Sequence, residues 1–209
     1  MKSYDLIILL LVIPIIYTSA RAFKDYGLFN KLLFNATRIK YQKEWYRFFT
    51  HGLVHGDWMH LIFNMYVLWI FGDLVMMFFS YLYGPLVANL LFLGLFIPAL
   101  PLSSISTYLK HKENPNYNAV GASGAVSAVV FASIILYPEG RMGLLFIPVM
   151  IPSWLFGLLY LAFTAYMDKK QMDNIGHNAH FWGSIYGIVY VLLINPYSFV
   201  HFFHVILGR

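Results

Sequence analysis

Four places in this sequence set hydrogen-bonding or proton-transferring side chains within or beside otherwise apolar stretches: His51 with His55, His60 with Asn64, Ser123 within GASG, and His180 within HFWGSIYG. Polar groups are costly in such stretches, so each raises a question of function. A serine hydroxyl beside an imidazole is a nucleophile for acyl transfer, and the pair can act without a third member. Ser123 follows Gly121 and precedes Gly124, where a polar loop enters an apolar helix. Glycine there lets backbone approach a substrate and leaves N–H groups to point at it. The same small residues, GASGAVSA, also suit close helix packing, and taken alone they fit that role as well.

His180 is followed by Gly183 and Gly187, offsets that place all three on one helical face. The glycines permit close packing against a small-residue helix, for which the one beginning near Gly121 is the obvious partner. If the two faces meet, the imidazole reaches the Ser123 hydroxyl. By itself, His180 is equally a buried histidine satisfied by a backbone carbonyl. His60 and Asn64 are four residues apart and share a face, so both can donate to one point. An oxyanion forming beside Ser123 is a candidate for that point, with the Ser123 N–H as a further donor. A metal site is the competing reading of His51, His55 and His60. It lacks an Asp, Glu or Cys at ligand spacing in the same apolar stretch, although Asp57 sits at its mouth.

These residues need a scaffold, and the composition restricts which. Of 209 residues 60% are hydrophobic and 11% charged, too little polar surface to cover a soluble globule, so the chain sits in lipid. Six apolar segments follow, at about residues 4–20, 57–79, 86–107, 121–137, 144–166 and 177–194. At about 20 residues per span they use nearly the whole length in a single domain over residues 1–209. The first segment is read as a retained span and not a cleaved signal peptide, because Asp5 stands near its start. Asp57 suits the N-cap of the second. Pro98 and Pro101 predict a kink or early end in the third, since proline removes a donor that lipid does not replace. Pro148, Pro152 and Trp154 predict the least regular helix in the fifth, and a charged link from Asp168 to Asp173 should follow it. The segment from Pro196 to Arg209 is too short to cross and is expected at the interface. There are no cysteines, which removes disulfides and a thiol nucleophile. The net charge of +5 lies mostly in loops and forms no basic helix face for nucleic acid.

Together these pieces resemble the rhomboid family of intramembrane serine proteases, over nearly the whole chain and in order. GASG with Ser123 looks like the family's GxSG nucleophile motif, and AHFWGSIYG, Ala179 to Gly187, like its AHxxGxxxG motif. HGDWMHLIFN, His55 to Asn64, resembles HxxxxHxxxN, and Trp45 to Arg47 fall where the family has an aromatic-Arg pair. The resemblance implies an all-α membrane protein with a six-helix bundle. It implies Ser123 as nucleophile, His180 as base, and His60 and Asn64 as oxyanion donors. His55 would stabilise the loop around the site, with Gly121 and Gly124 lending it backbone room. Loop one, residues 21–50, would be a partly embedded structural element, and the fifth span would gate access. It implies no metal and no cofactor, single-pass membrane proteins as substrates, and a multi-pass place in a bacterial plasma membrane.

The sequence departs from the family pattern at Ser127, where many members carry a tyrosine that stacks on the catalytic imidazole. Another group, such as Phe131, would have to hold the His180 ring. Seven Lys and Arg residues fall in loop one, and by the positive-inside rule these put that loop in the cytoplasm, opposite to the usual rhomboid arrangement. We keep loop one outside, since an embedded loop can set its cations at headgroups on either face. Two other classes remain: a client-binding relative that does not cleave, and a His-lined transporter, which would need paired acids where only Asp73 lies near a span interior.

Overall fold

The structure, a computed structural model, describes residues 5–143, 149–170 and 176–208. Helix α1 (Asp5–Ala22) leads into loop one, built of α2 (Tyr26–Leu32), α3 (Ala36–Gln42), α4 (Arg47–Thr50) and a 3₁₀ turn at His51–Leu53. The long helices α5 (Trp58–Tyr83) and α6 (Pro85–His111) follow, then the short α7 (Ser123–Leu136). Strands β1 (Arg141–Met142) and β2 (Ile151–Pro152) pair antiparallel, with Arg141 opposite Pro152. The chain continues as α8 (Ser153–Lys170), α9 (His177–Ile194) and α10 (Tyr197–Leu207).

A helix therefore stands in each of the six apolar segments. By length and composition, α5 and α6 each suffice to cross a bilayer, and α9 with α10 would make a third across a 114° bend. That bend turns the terminal helix sharply away from the direction of α9. Helix α7 has 14 residues and rises about 21 Å, short of the ~30 Å hydrocarbon thickness. Twelve of those 14 are buried, so α7 is the axis around which α5, α6 and α9 pack. Leu68, Val75, Phe92, Leu95, Ala128, Ala132 and Val191 form the core between them. Outward faces keep large apolar side chains exposed, among them Leu10, Ile13, Ile62, Leu90 and Leu193, as a lipid-facing surface requires.

Four local expectations meet the structure differently. Asp57 caps α5 as its type suggests, its Oδ1 accepting from the His60 N–H at 2.8 Å. Pro98 and Pro101 do not end α6, which continues to His111. Proline at 98 deprives the Gly94 carbonyl of its helical donor, and the Tyr186 hydroxyl from α9 supplies one at 2.7 Å. The fifth helix begins only at Ser153, because Pro152 belongs to β2; Leu144 and Pro148, expected within it, lie outside the described residues. Asp168, Lys169 and Lys170, expected in a link, form its last turn, and Gln171 to Asp173 also lie outside the described residues.

Loop one has its own small core of Phe34, Ala36, Ile39 and Phe48, packed against Tyr108 and Tyr117. Its centre is Arg47, 1% exposed. The guanidinium donates to the Leu33 carbonyl at 2.6 Å and the Asn30 carbonyl at 3.0 Å, and Nε meets Glu44 Oε2 at 2.5 Å. One rigid fork thus satisfies two carbonyls at the end of α2 and the Glu44 carboxylate just before α4, where water is scarce. Arg47→Ala strands the Leu33 carbonyl in the interior, and Arg47→Lys replaces the fork by a point charge. We expect the alanine variant to lose ~3–5 kcal/mol, measured as a lower midpoint in detergent-to-SDS unfolding, with lysine recovering only a minor part.

Candidate active site

Helices α7 and α9 meet where small residues face each other. A Cβ added at Gly183 would overlap the Gly124 carbonyl oxygen and lie 2.8 Å from its carbon; at Gly187 it would overlap the Ala128 oxygen and lie 2.8 Å from its carbon. The two helices are in backbone contact, as the glycine spacing predicts. This contact brings His180 Nε2 to 2.7 Å from Ser123 Oγ. Both residues are half-buried, and Ser123 is the first residue of α7, whose N-cap Ala122 makes no side-chain cap. The first N–H groups of α7, including that of Ser123, are consequently not used by the helix itself. Gly124 is needed too: a side chain there would run into Ser103 of α6 and stand 3.2 Å from the Ala179 carbonyl.

The segment before Ser123 is held from loop one. Gly121 has φ +104, in the left-handed region that favours glycine, and a Cβ there would stand 2.7 Å from His60 Cε1 and 2.8 Å from its Nε2. His60 therefore lies against the loop that precedes Ser123. Asn64, the other expected oxyanion donor, is buried and gives one N–H to the His60 carbonyl at 3.1 Å, which still leaves it a second. His55 sits behind His60, ring centroids 4.9 Å apart, and reaches Ser19 of α1 at 2.9 Å through Nδ1. Ser19 gives its single proton to the Leu53 carbonyl, so it accepts from His55 Nδ1–H, which fixes the tautomer.

His51 holds this segment more directly than His55 does. Its carbonyl accepts from the Gly121 N–H at 2.9 Å and its Nδ1 donates to the Gly121 carbonyl at 3.2 Å. With that proton on Nδ1, Nε2 accepts from the Ser104 hydroxyl at 3.2 Å, while Ser103 also reaches the Leu100 carbonyl, the other acceptor open to Ser104. A backbone bridge between Phe34 and Ala119 and the Asn35 amide, donating to Pro115 and Asn118, secure the residues upstream. The sequence singled out His51 but gave it only the metal alternative. Among the described residues no group of three or more His, Cys, Asp or Glu is placed to hold a metal ion.

A ring that sequence reasoning missed flanks His180. Tyr160 of α8 lies nearly parallel to His180, 20° between planes and 6.5 Å between centroids, and its hydroxyl is 3.3 Å from Ser127 Oγ. Phe131, expected to hold the imidazole, instead packs against Tyr160 at 5.7 Å. His177 meets His180 edge-on from α9 at 6.1 Å.

Comparison with known proteins decides the family. The rhomboid domain matches residues 42–197, about three quarters of the chain. This chain belongs to the rhomboid family. Its relatives include the human mitochondrial presenilin-associated rhomboid-like protein, 27% identical over 147 residues, which are 66% of this chain and 35% of that protein. The zebrafish (Danio rerio) presenilin-associated rhomboid-like protein A is 26% identical over 147 residues, 66% of this chain and 34% of its own length. Rhomboid-like protein 11 of Arabidopsis thaliana, chloroplastic, is 25% identical over 167 residues, 73% of this chain and 54% of its own length. The chain spans about a third of the presenilin-associated relatives. The relatives' names say mitochondrial and chloroplastic, where the sequence reading expected a bacterial membrane; membrane placement itself fits the rhomboid domain and the apolar helices.

Two outcomes follow from this geometry. Gly187→Ala puts a methyl against the Ala128 backbone, which cannot move aside as a side chain would; overpacking of this kind costs ~1–3 kcal/mol, and we expect a lower unfolding midpoint together with a loosened Ser123–His180 pair. Burial holds His51 down to about 4 and His55 to about 3 from an ordinary 6.5. The unfolded chain thus binds protons that the fold does not, so the stability these rings contribute is full above about pH 6.5 and falls as the pH drops towards 4. Thermal unfolding at stepped pH should show a flat melting temperature above 6.5 and a decline below, shallower in His51→Asn.

Proposed function

We propose that this chain is an intramembrane serine endopeptidase that cleaves membrane-spanning segments of single-pass proteins with a Ser123–His180 dyad. The 2.7 Å approach of His180 Nε2 to Ser123 Oγ carries the reading. Membership of a family of this name supports it, as does the half-buried setting of both residues. The six helical segments would form a six-span bundle placing this pair below the membrane surface, in a bacterial plasma membrane as the sequence reading has it.

In this mechanism His180 Nε2 takes the Ser123 proton as Oγ attacks the scissile carbonyl. The oxyanion is held by the Ser123 N–H, by the His60 ring and by the remaining Asn64 N–H, with Gly121 and Gly124 keeping space for the substrate backbone. His180 returns the proton to the departing amine, leaving an ester on Oγ. A water deprotonated by the same imidazole then hydrolyses that ester, which regenerates the hydroxyl. The chemistry asks for no metal or cofactor. A helical peptide bond is shielded by its own turn, so substrates would carry small or helix-weakening residues near the cut.

Purified protein in detergent should be labelled by a fluorophosphonate probe, and Ser123→Ala should abolish labelling. His180→Ala should slow it by ~10²–10⁴, the usual worth of a general base. Folded protein that takes no label would instead support a client-binding membrane protein that does not cleave.

A further inference from the structure

The residue one turn after Ser123 on α7 is Ser127, on the same face as the nucleophile and too short to reach across the imidazole. The ring beside His180 is supplied instead from α8. We propose that Tyr160 is the positioning residue of the base: its ring blocks rotation of the His180 imidazole away from Ser123, and the rings of Phe131 and Phe156 hold Tyr160 in place. The inference rests on the proposed dyad and concerns how that dyad is kept in register.

The surroundings of Tyr160 are those of a fixed ring. Phe156, one turn earlier on α8, lies nearly parallel to it at 6.2 Å and 19°, and Phe131 of α7 packs against it at 5.7 Å. Gly157 lets α8 come close enough, since a Cβ there would stand 3.2 Å from Ile134 and 3.3 Å from Phe131. His177, one turn earlier on α9, meets the imidazole at a steep angle and is itself met edge-on by Phe163 of α8 at 5.6 Å. The His180 ring thus has one nearly parallel and one steeply inclined ring as neighbours.

The far end of the same α8 face is tied down as well. Asp168, two turns after Tyr160, accepts from Lys110 of α6 at 3.2 Å and from the Asn178 amide at 3.1 Å, and Asn178 in turn accepts from Thr107 at 3.2 Å. Asn178 lies two residues before His180. Ser123 and His180 sit on α7 and α9, which are in backbone contact, whereas the ring that orients the base sits on α8. A displacement of α8 therefore withdraws the ring without parting the dyad.

The test uses the full chain in detergent with a fluorophosphonate probe and a single-pass substrate. Tyr160→Leu, apolar but smaller and without a flat face, should lower kcat and the labelling rate by roughly 10- to 100-fold with KM unchanged, and Tyr160→Phe should restore most of the loss. A leucine variant as fast as wild type, or a phenylalanine variant as slow as leucine, overturns the proposal. If the leucine variant does not fold, Tyr160→Met is read in its place. Independently of activity, the His180 ring resonance in histidine-labelled protein, assigned by its loss in His180→Ala, should move in the non-aromatic variant and stay in Tyr160→Phe. An unmoved resonance overturns the positioning role even if the enzyme is active. Wild-type protein that takes no label overturns the dyad reading, and the resonance then still decides whether Tyr160 fixes the ring.

Discussion

Everything in this site depends on the absence of side chains between α7 and α9. Where Gly183 and Gly187 face Gly124 and Ala128, the separation of the helices is set by backbone atoms in contact, which leaves little room for rotamer adjustment. A serine at the first position of one helix and a histidine one turn before the first of those glycines on the other are then brought within a hydrogen bond. Lipid gives no hydrophobic reason for two apolar helices to associate, so dispersion and close approach have to supply it. The same contact that stabilises the bundle therefore brings Ser123 Oγ and His180 Nε2 together.

The second constraint is the shortage of water. Each buried backbone group must find a partner within the protein, and the partners come from far along the chain. Arg47 serves the carbonyls of Asn30 and Leu33, Thr50 that of Leu32, Tyr186 that of Gly94, and Tyr190 that of Leu91. His51 belongs to this class: it grips both polar groups of Gly121 and hangs on Ser104 of α6. Loop one is in this sense part of the site, because the backbone of the segment before Ser123 is bonded to it on both sides of the Phe34–Ala119 bridge.

What could be read from the sequence was whatever local spacing decides. The apolar runs gave the six helical segments, Asp57 gave an N-cap, and the offsets from His180 to Gly183 and Gly187 gave the contact with α7. The chain was less informative where the partner is remote. Pro98 looks like a stop because the sequence cannot show that Tyr186, 88 positions later, stands ready to cap the released carbonyl. Pro152 looks like part of a helix because two-residue strands leave no periodicity to detect. Tyr160 was invisible for the same reason. It is one aromatic among many in an apolar helix, and only the tertiary fold gives it the space that Ser127 leaves open.

The attachments of α8 differ in what they cost to break. Asp168 stands in the last turn, where the helix dipole disfavours a carboxylate, so its bonds to Lys110 and Asn178 have to outweigh that penalty. Lys110 and Asp168 are nevertheless partly exposed, with side chains 39% and 28% accessible, so water can take over from either partner at small cost. The Tyr160 end is held by packing instead, its half-buried ring set among Phe131, Phe156 and His180, and lost ring contacts are not replaced by water. Of these two attachments the Asp168 end is therefore the easier to part from the bundle, and the ring contacts beside the imidazole the harder.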